Sequence, residues 1–280
     1  MKLGVHVSIA GSIDLSIDRA RSLNLNTFQI YTRNPRGWKF SELKELDILN
    51  FKSKIISENI SAVVCHMPYL PNLSSPKDDA HNISIQSLSS ELKRCNKLGI
   101  DYVVTHIGSH LGSGLEKGLD RVVKACNTAL SNSPNNTMII LENTAGTKNN
   151  VGSKFEELKY IFDNVQDKSR IGFCFDTCHA FAAGYDLSSS KSVIHTLDKF
   201  NKIIGMKYLK VVHLNDSKGE LGNGLDRHQH IGKGQIGEKG FRQLLKNSVI
   251  RQLPLILETP IAENFGDREN IAKIRSLTSI

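Results

Sequence analysis

The sequence predicts an α/β protein, a single (β/α)8 TIM barrel spanning residues 1–280. Three observations carry that expectation: eight short β-branched runs recur along the chain, helical spacing fills the segments between them, and no linker, low-complexity tract or charge block interrupts the alternation. The runs are "LGVHV" (3–7), "TFQIY" (27–31), "AVVCH" (62–66), "YVVTH" (102–106), "MIILE" (138–142), "IGFCFD" (171–176), "LKVVH" (209–213) and "LPLILE" (253–258). Their ends fall roughly every 35 residues, about one βα unit. Continuous hydrophobic strands alternating with helices indicate a parallel sheet covered on both faces. Eight units in 280 residues fit a closed barrel better than an open sheet.

The intervening segments read as helices from their spacing. Ile83, Leu88, Leu92 and Leu98 precede a stop at Gly99, and Leu115, Leu119, Val122, Val123, Cys126 and Leu130 form a second stripe. Two non-periodic stretches stand out, "TRNPRGWKF" after the second strand and "ELGNGLD" before Asp226. Both follow strand C-termini, so a barrel places them on its catalytic face, where long loops are usually functional.

Composition narrows the class. At 39% hydrophobic and 23% charged, the chain is ordinary globular material with enough apolar residues for a large core. The net charge of +8 agrees with a polyanionic partner such as nucleic acid, although a basic protein without one is equally consistent with charge alone. "MKLGVHVSIAGS" lacks the features of a signal peptide, and no run is long enough to span a membrane. The five scattered cysteines (Cys65, Cys95, Cys126, Cys174, Cys178) then read as reduced thiols, and the expected compartment is the cytoplasm.

The strand endings carry the chemistry. His66, His106, Glu142, Asp176, His213 and Glu258 terminate strands three to eight, and in a barrel those ends converge on one mouth. A single histidine there is ordinarily a hydrogen-bonded cap, and a single carboxylate a helix N-cap. Six converging groups, three of them carboxylates, would instead repel one another unless cations sat among them. Two local motifs add candidates. In "FDTCH" Asp176 and His179 lie three apart; in "DRHQH" Asp226, His228 and His230 alternate, so an extended backbone points them to one side without saying which are used. Leaving out His230 gives nine candidate ligands, which suit two or three ions rather than one. Imidazoles and carboxylates favour zinc, with manganese or iron as alternatives. Cys174 shares strand parity with Asp176, but its spacing to Cys178 is not a zinc-thiolate pattern, and inert buried thiols are expected. Clustered divalent ions are the usual device for phosphodiester cleavage. No nucleophile elbow, Walker loop or dinucleotide-binding glycine motif competes.

Over essentially its whole length the chain resembles the endonuclease IV family of zinc-dependent apurinic/apyrimidinic endonucleases. The segments that carry the resemblance are "HVSIAGS", "HMPYLPNL", "THIGSHLGSG", "LENTAG", "CFDTCHAFAAGYD", "HLNDSKGELGNGLDRHQHIGKG" and "LETP". It implies three zinc ions per chain, with manganese as an alternative occupant of one site. His66 and His106 would hold the first with Glu142, which bridges to a second held also by Asp176, His213 and Glu258. His179, Asp226 and His228 would hold the third. Glu142 and Glu258 become the catalytic carboxylates, Glu258 orienting the nucleophile. The implied reaction is hydrolysis of the phosphodiester 5′ to an abasic site, leaving a 3′-hydroxyl and a 5′ deoxyribose phosphate, with trimming of blocked 3′ ends as companion activity. Arg36, Tyr69 and Leu70 would contact double-stranded DNA and wedge into its base stack. A monomer with no obligatory protein partner, associated with the nucleoid when acting on DNA, is the expectation. Three features depart from the usual pattern: Ile107 replaces a proline, Pro71 precedes Asn72 in the loop holding Tyr69, and His230 is an extra histidine.

Two other classes compete. A metal-dependent sugar or sugar-phosphate isomerase of similar barrel design would carry fewer histidines and a more acidic surface. A DNA-binding protein with purely structural zinc would favour cysteine-rich closed sites.

Overall fold

The computed structural model describes residues 1–39, 41–263 and 265–278; Phe40, at the end of the "TRNPRGWKF" stretch, lies outside them. Eight parallel strands form the barrel: β1 (Lys2–Val5), β2 (Thr27–Ile30), β3 (Ala62–His66), β4 (Tyr102–His106), β5 (Met138–Glu142), β6 (Ile171–Asp176), β7 (Leu209–His213) and β8 (Pro254–Leu257). Each pairs with its sequence neighbour from β2 to β8, and β8 pairs with β1. A parallel bridge between His6 and Gln29 joins β1 to β2 and completes the ring. Gly4 makes that join possible, because a Cβ there would lie 2.3 Å from the Thr27 carbonyl oxygen. Five of the eight predicted strands have the bounds read from sequence. β1, β2 and β8 are shorter, and His6, Tyr31 and Glu258 sit just past their ends.

Helices α1 (Leu15–Ser22), α2 (Glu45–Ser57), α3 (Asp78–Leu98), α4 (Leu115–Ser131), α5 (Phe155–Asn164), α6 (Thr177–Ala182), α7 (Ser190–Ile203), α8 (Gly237–Leu244), α9 (Ser248–Gln252) and α10 (Asp267–Thr278) complete the fold. Gly99 ends α3 in the left-handed conformation, φ 75°, as a C-terminal cap does. The stripe expected for α3 is partly misplaced. Its buried face runs through His81, Ser84, Ile85, Leu88 and Leu92, whereas Ile83 and the α4 residue Leu115 are exposed. Small serines let α3 pack closely, so hydrophobicity alone does not mark its inner face.

Strand alternation divides the core in two. One set of side chains points outward into the layer beneath the helices, where Phe28, Val103, Leu141, Phe173 and Leu255 are fully buried. The other fills the barrel interior, and Val64, Val104, Ile140, Cys174, Val211 and Ile256 form one dry layer. Each residue of that layer lies two positions before a strand-end candidate, from His66 to Glu258, so the same period of two aims those polar groups into the mouth. The apolar layer is the floor on which the site rests.

Candidate metal centre

The structure brings all nine candidate ligands together at the C-terminal mouth, where His66, His106, His179, Asp226, His228 and Glu258 line a cavity of ≈ 380 Å³ and Glu142, Asp176 and His213 lie buried beside them. They fall into three groups whose ligand atoms lie within 4.8 Å of one another: His66, His106 and Glu142; Glu142, Asp176, His213 and Glu258; and His179, Asp226 and His228. Register sets the first two groups, because His106 lies opposite Glu142 and Asp176 opposite His213. Glu142 is common to both: its Oε2 is 3.4 Å from His66 Nε2, and its Oε1 is 3.0 Å from His213 Nδ1. His179 sits in the first turn of α6, capped by Asp176, whose side chain accepts the His179 backbone N–H at 2.8 Å. Its Nε2 lies 3.1 Å from Asp226. His228 returns to the mouth through a two-residue antiparallel ladder, Asp216–Ser217 with His228–Gln229.

The glycine-rich excursion between His213 and His230 therefore joins two donor groups. Asp216 holds its far end: buried, it accepts backbone N–H groups from Ser217, Gly232, Gly234, Ile236 and Gly237. His230 does not share the face of Asp226 and His228. The ladder stops at Gln229, and His230 turns away to contact Asn270 and the Phe265 ring. Ile107 and Pro71 remove none of the nine groups; Ile107 is buried against Gly152.

Hydrogen bonds to the backbone fix the imidazoles. A carbonyl can only accept, so His66, His179 and His228 donate Nδ1–H to the carbonyls of Met67, Asn143 and Glu258 at 2.7, 3.0 and 2.9 Å. Each then turns Nε2 toward the centre, as ligating histidines do. Among the described residues the Nε2 atoms of His179 and His228 are buried without a geometrically formed hydrogen bond, although Asp226 lies 3.1 and 3.4 Å from them. The imidazoles form a chain of ring contacts, His66–His106 at 5.2 Å, His106–His179 at 5.7 Å and His179–His228 at 5.5 Å. Inward lone pairs, orphaned nitrogens and interleaved carboxylates form a donor set that fits divalent cations.

Charge balance points the same way. Burial disfavours ionisation of Glu142, yet His106 and His213 beside it hold its carboxyl well below the usual range. Burial likewise opposes charge on Glu258 and Asp226, but neighbouring imidazoles bring each down to about 2. Burial opposes protonation of His179 and His213, and the surrounding carboxylates outweigh it. His106 moves the other way: burial lowers it. Burial pushes the thiols of Cys174 and Cys178 up to about 12, so they stay protonated beside the centre, and all five cysteines are free and buried.

Exposure grades across the centre. Glu142, Asp176 and His213 side chains are fully buried, Glu258 and His228 are 20% exposed, His106 37% and Asp226 49%. A substrate therefore meets the last four. Of the expected DNA-contacting residues, Tyr69 and Leu70 are 67% and 42% exposed at the rim, and Arg36 is exposed on the loop after β2. Tyr69 packs edge-on against Tyr31, ring centroids 5.6 Å apart. Arg33 supports the Arg36 loop, pairing with Glu91 of α3 and donating to the Gly37 carbonyl. Both partners of that pair are buried, so losing one leaves an uncompensated charge, at a cost of about 3–5 kcal/mol.

Sequence reading missed the polar side chains behind the candidate ligands. Asn215 donates to Asp176 Oδ2 at 2.6 Å, and its Oδ1 accepts the Glu258 backbone N–H. Asn143 bonds the Asp176 backbone in both directions. Gln29 touches both Glu258 and His213. Asn143 and Asn215 each lie next to or two after a strand-end ligand, and Gln29 is a lone inward amide in an apolar strand.

The fold and site define a TIM-barrel metalloenzyme class. The family described as a xylose isomerase-like TIM barrel matches residues 17–277. Among similar sequences, the "Probable endonuclease 4" of Methanoculleus marisnigri is 50% identical over 98% of this chain and 98% of its own. That of Nitrosopumilus maritimus is 50% identical over 98% and 99%. Endonuclease IV from Thermus thermophilus superposes with a TM-score of 0.86 at 32% identity, covering 99% of this chain and 97% of the other. This chain belongs to the endonuclease IV family, and membership makes it a metal-dependent nuclease. A D-tagatose 3-epimerase-like protein shares the fold at 20% identity and a TM-score of 0.72, over 99% and 96% of the two chains. That likeness concerns fold alone.

Proposed function

We propose that this chain is an apurinic/apyrimidinic endonuclease of DNA repair that hydrolyses the phosphodiester 5′ to an abasic site in double-stranded DNA. The observation that carries the reading is Glu142, a fully buried carboxylate shared by two donor groups with a third group alongside. His66, His106 and Glu142 would hold one zinc; Glu142, Asp176, His213 and Glu258 would hold a second; His179, Asp226 and His228 would hold a third, and one site would also admit manganese. When bound, these ions supply Lewis acidity, lowering the pKa of water and neutralising phosphate charge.

The protein's own groups do the rest. Backbone carbonyls hold His66, His179 and His228 with Nε2 inward, so little reorganisation accompanies the reaction. Glu258 stands at the cavity edge with Oε1 engaged by Gln29 and Oε2 3.2 Å from His213 Nδ1, and this fixed carboxylate orients the attacking water. Oxygen from water bonds to phosphorus and the bond to the 3′ oxygen breaks, giving a 3′-hydroxyl and a 5′ deoxyribose phosphate. Blocked 3′ ends present the same bond, so their trimming uses the same groups. Arg36, Tyr69 and Leu70 on the rim enter the base stack and hold the flipped nucleotide over the centre. The enzyme acts as a cytoplasmic monomer at the nucleoid without an obligatory protein partner.

The test is a duplex with one abasic-site analogue, incubated with zinc-saturated protein and resolved by strand length. A single metal-dependent nick on the 5′ side is the expected result. No nick under saturating zinc would remove this reading in favour of an isomerase.

A further inference from the structure

Behind the candidate centre, one side chain connects groups that arrive from three strands. Gln29 lies on the inward face of β2 and is fully buried. Its Nε2 donates to Glu258 Oε1 at 2.6 Å and lies 3.1 Å from His6 Nδ1, while its Oε1 lies 2.9 Å from His213 Nε2. The amide can face only one way. An ionised carboxylate accepts and never donates, so the –NH2 must face Glu258 and the carbonyl must face His213. Reversal would set the carbonyl against a carboxylate.

Two consequences follow. His213 must carry a proton on Nε2 to donate to Gln29, so its Nδ1 is the atom available to the centre, 3.0 Å from Glu142 and 3.2 Å from Glu258. It is thus inverted relative to His66, His179 and His228, whose Nδ1 atoms donate to backbone. Among the described residues no backbone carbonyl performs the equivalent service for His213, and Gln29 takes its place. His6 must in turn accept on Nδ1. Its Nε2 therefore carries the hydrogen, and that buried atom, beside the mouth cavity, has no hydrogen-bond partner among the described residues.

We propose that Gln29 is a positioning residue of the metal centre, selecting the tautomer of His213 and the orientation of Glu258 together, and so setting affinity at the site those two share. The proposal rests on the metal-binding reading of these residues. Groups that orient metal ligands typically change metal affinity or activity by about 10–100-fold when removed. Among the described residues the hydrogen bonds of Gln29 run to Glu258, His213 and His6 and to none of His66, His106, His179, Asp226 and His228, so its effect is selective.

Gln29→Met keeps the volume without polar atoms, and Gln29→Glu keeps the shape while placing a second carboxylate against Glu258. Both are compared with wild type by zinc content after graded chelator challenge, Tm, and nitrogen-15 NMR of the histidine rings. Wild type is expected to retain its zinc with His213 protonated on Nε2. Each variant is expected to release about one zinc per chain at a chelator concentration roughly 10–100-fold lower, with an altered His213 tautomer signal in Gln29→Met. If wild type binds zinc and both folded variants hold it as tightly, Gln29 has no positioning role. If wild type binds none, the metal centre itself is refuted and this proposal with it. Should Gln29→Met unfold, Gln29→Glu carries the same comparison.

Discussion

The floor of the barrel mouth and the loops around its rim are built by opposite means. On the floor, Glu142, Asp176 and His213 end rigid strands, are fully buried, and are held by Asn143, Asn215 and Gln29. On the rim, Tyr69, Leu70 and Arg36 sit on loops, largely exposed, with little beyond the Tyr31 ring and the Arg33–Glu91 pair behind them. A metal centre needs positions set to within a fraction of an ångström, and only strand ends with second-layer hydrogen bonds provide that. A surface that enters deformed DNA must adapt to it. Changes on the floor should therefore abolish chemistry, while changes on the rim should weaken binding and leave the metals in place.

The largest expected effect is at the shared carboxylate. Glu142→Gln should lower kcat for abasic-site cleavage by roughly 10³-fold or more and reduce zinc content, read by metal analysis and single-turnover nicking. A Glu142→Gln protein with full zinc and near-normal kcat would break the division between floor and rim.

Removing metal should act on stability as well as on cleavage. Zinc at a thousandfold excess over its Kd adds about 4 kcal/mol to the folded state, so stripping it should lower Tm by about 10 °C. A Tm unmoved by chelator would place the ions elsewhere.

The stripped protein should also show a characteristic pH response. His179 and His213 titrate well above an ordinary histidine when folded, so their contribution is complete below about pH 6.5 and is lost as pH rises through their folded values. Asp226 and Glu258 titrate at about 2, so their contribution is present above the ordinary carboxylate range near pH 4 and lost as pH falls toward 2. Metal-free protein is thus expected to be most stable between about pH 4 and 6.5 and to lose Tm toward pH 9. Zinc replaces those imidazole protons, so loaded protein should show a smaller loss over the same alkaline range.

Rim substitutions come last. Tyr69→Ala and Leu70→Ala should each weaken binding of abasic duplex by about 1–3 kcal/mol, with zinc content unchanged. Arg36→Ala should reduce the salt dependence of binding by about one phosphate contact. Loss of zinc in any of these variants would show that rim and floor are coupled.

The floor was legible in the sequence because a parallel barrel turns strand parity into position. Once eight strands were counted, the residue ending each was fixed at the mouth, and Glu142 and His213 needed no motif. The loop ligands were legible in part. Alternation grouped Asp226 with His228, which the structure places side by side, but carried on to His230, because nothing in "DRHQH" shows that the ladder stops at Gln229. Gln29 was not legible. An inward glutamine in an apolar strand has meaning only once Glu258 and His213, far away in sequence, are seen to flank it. The graded exposure from Glu142 to Asp226 was equally hidden, since it depends on how far each loop rises above the strands.

The central claim is that the three donor groups act as one metal centre on abasic DNA. Titrating zinc into metal-free protein while following nicking of a duplex with one abasic-site analogue tests it directly. The account predicts cleavage that rises to a plateau at about three zinc ions per chain, with product ending in a 3′-hydroxyl immediately 5′ to the lesion. Full cleavage by metal-free protein, or a fully loaded protein that leaves the abasic duplex intact, would contradict it.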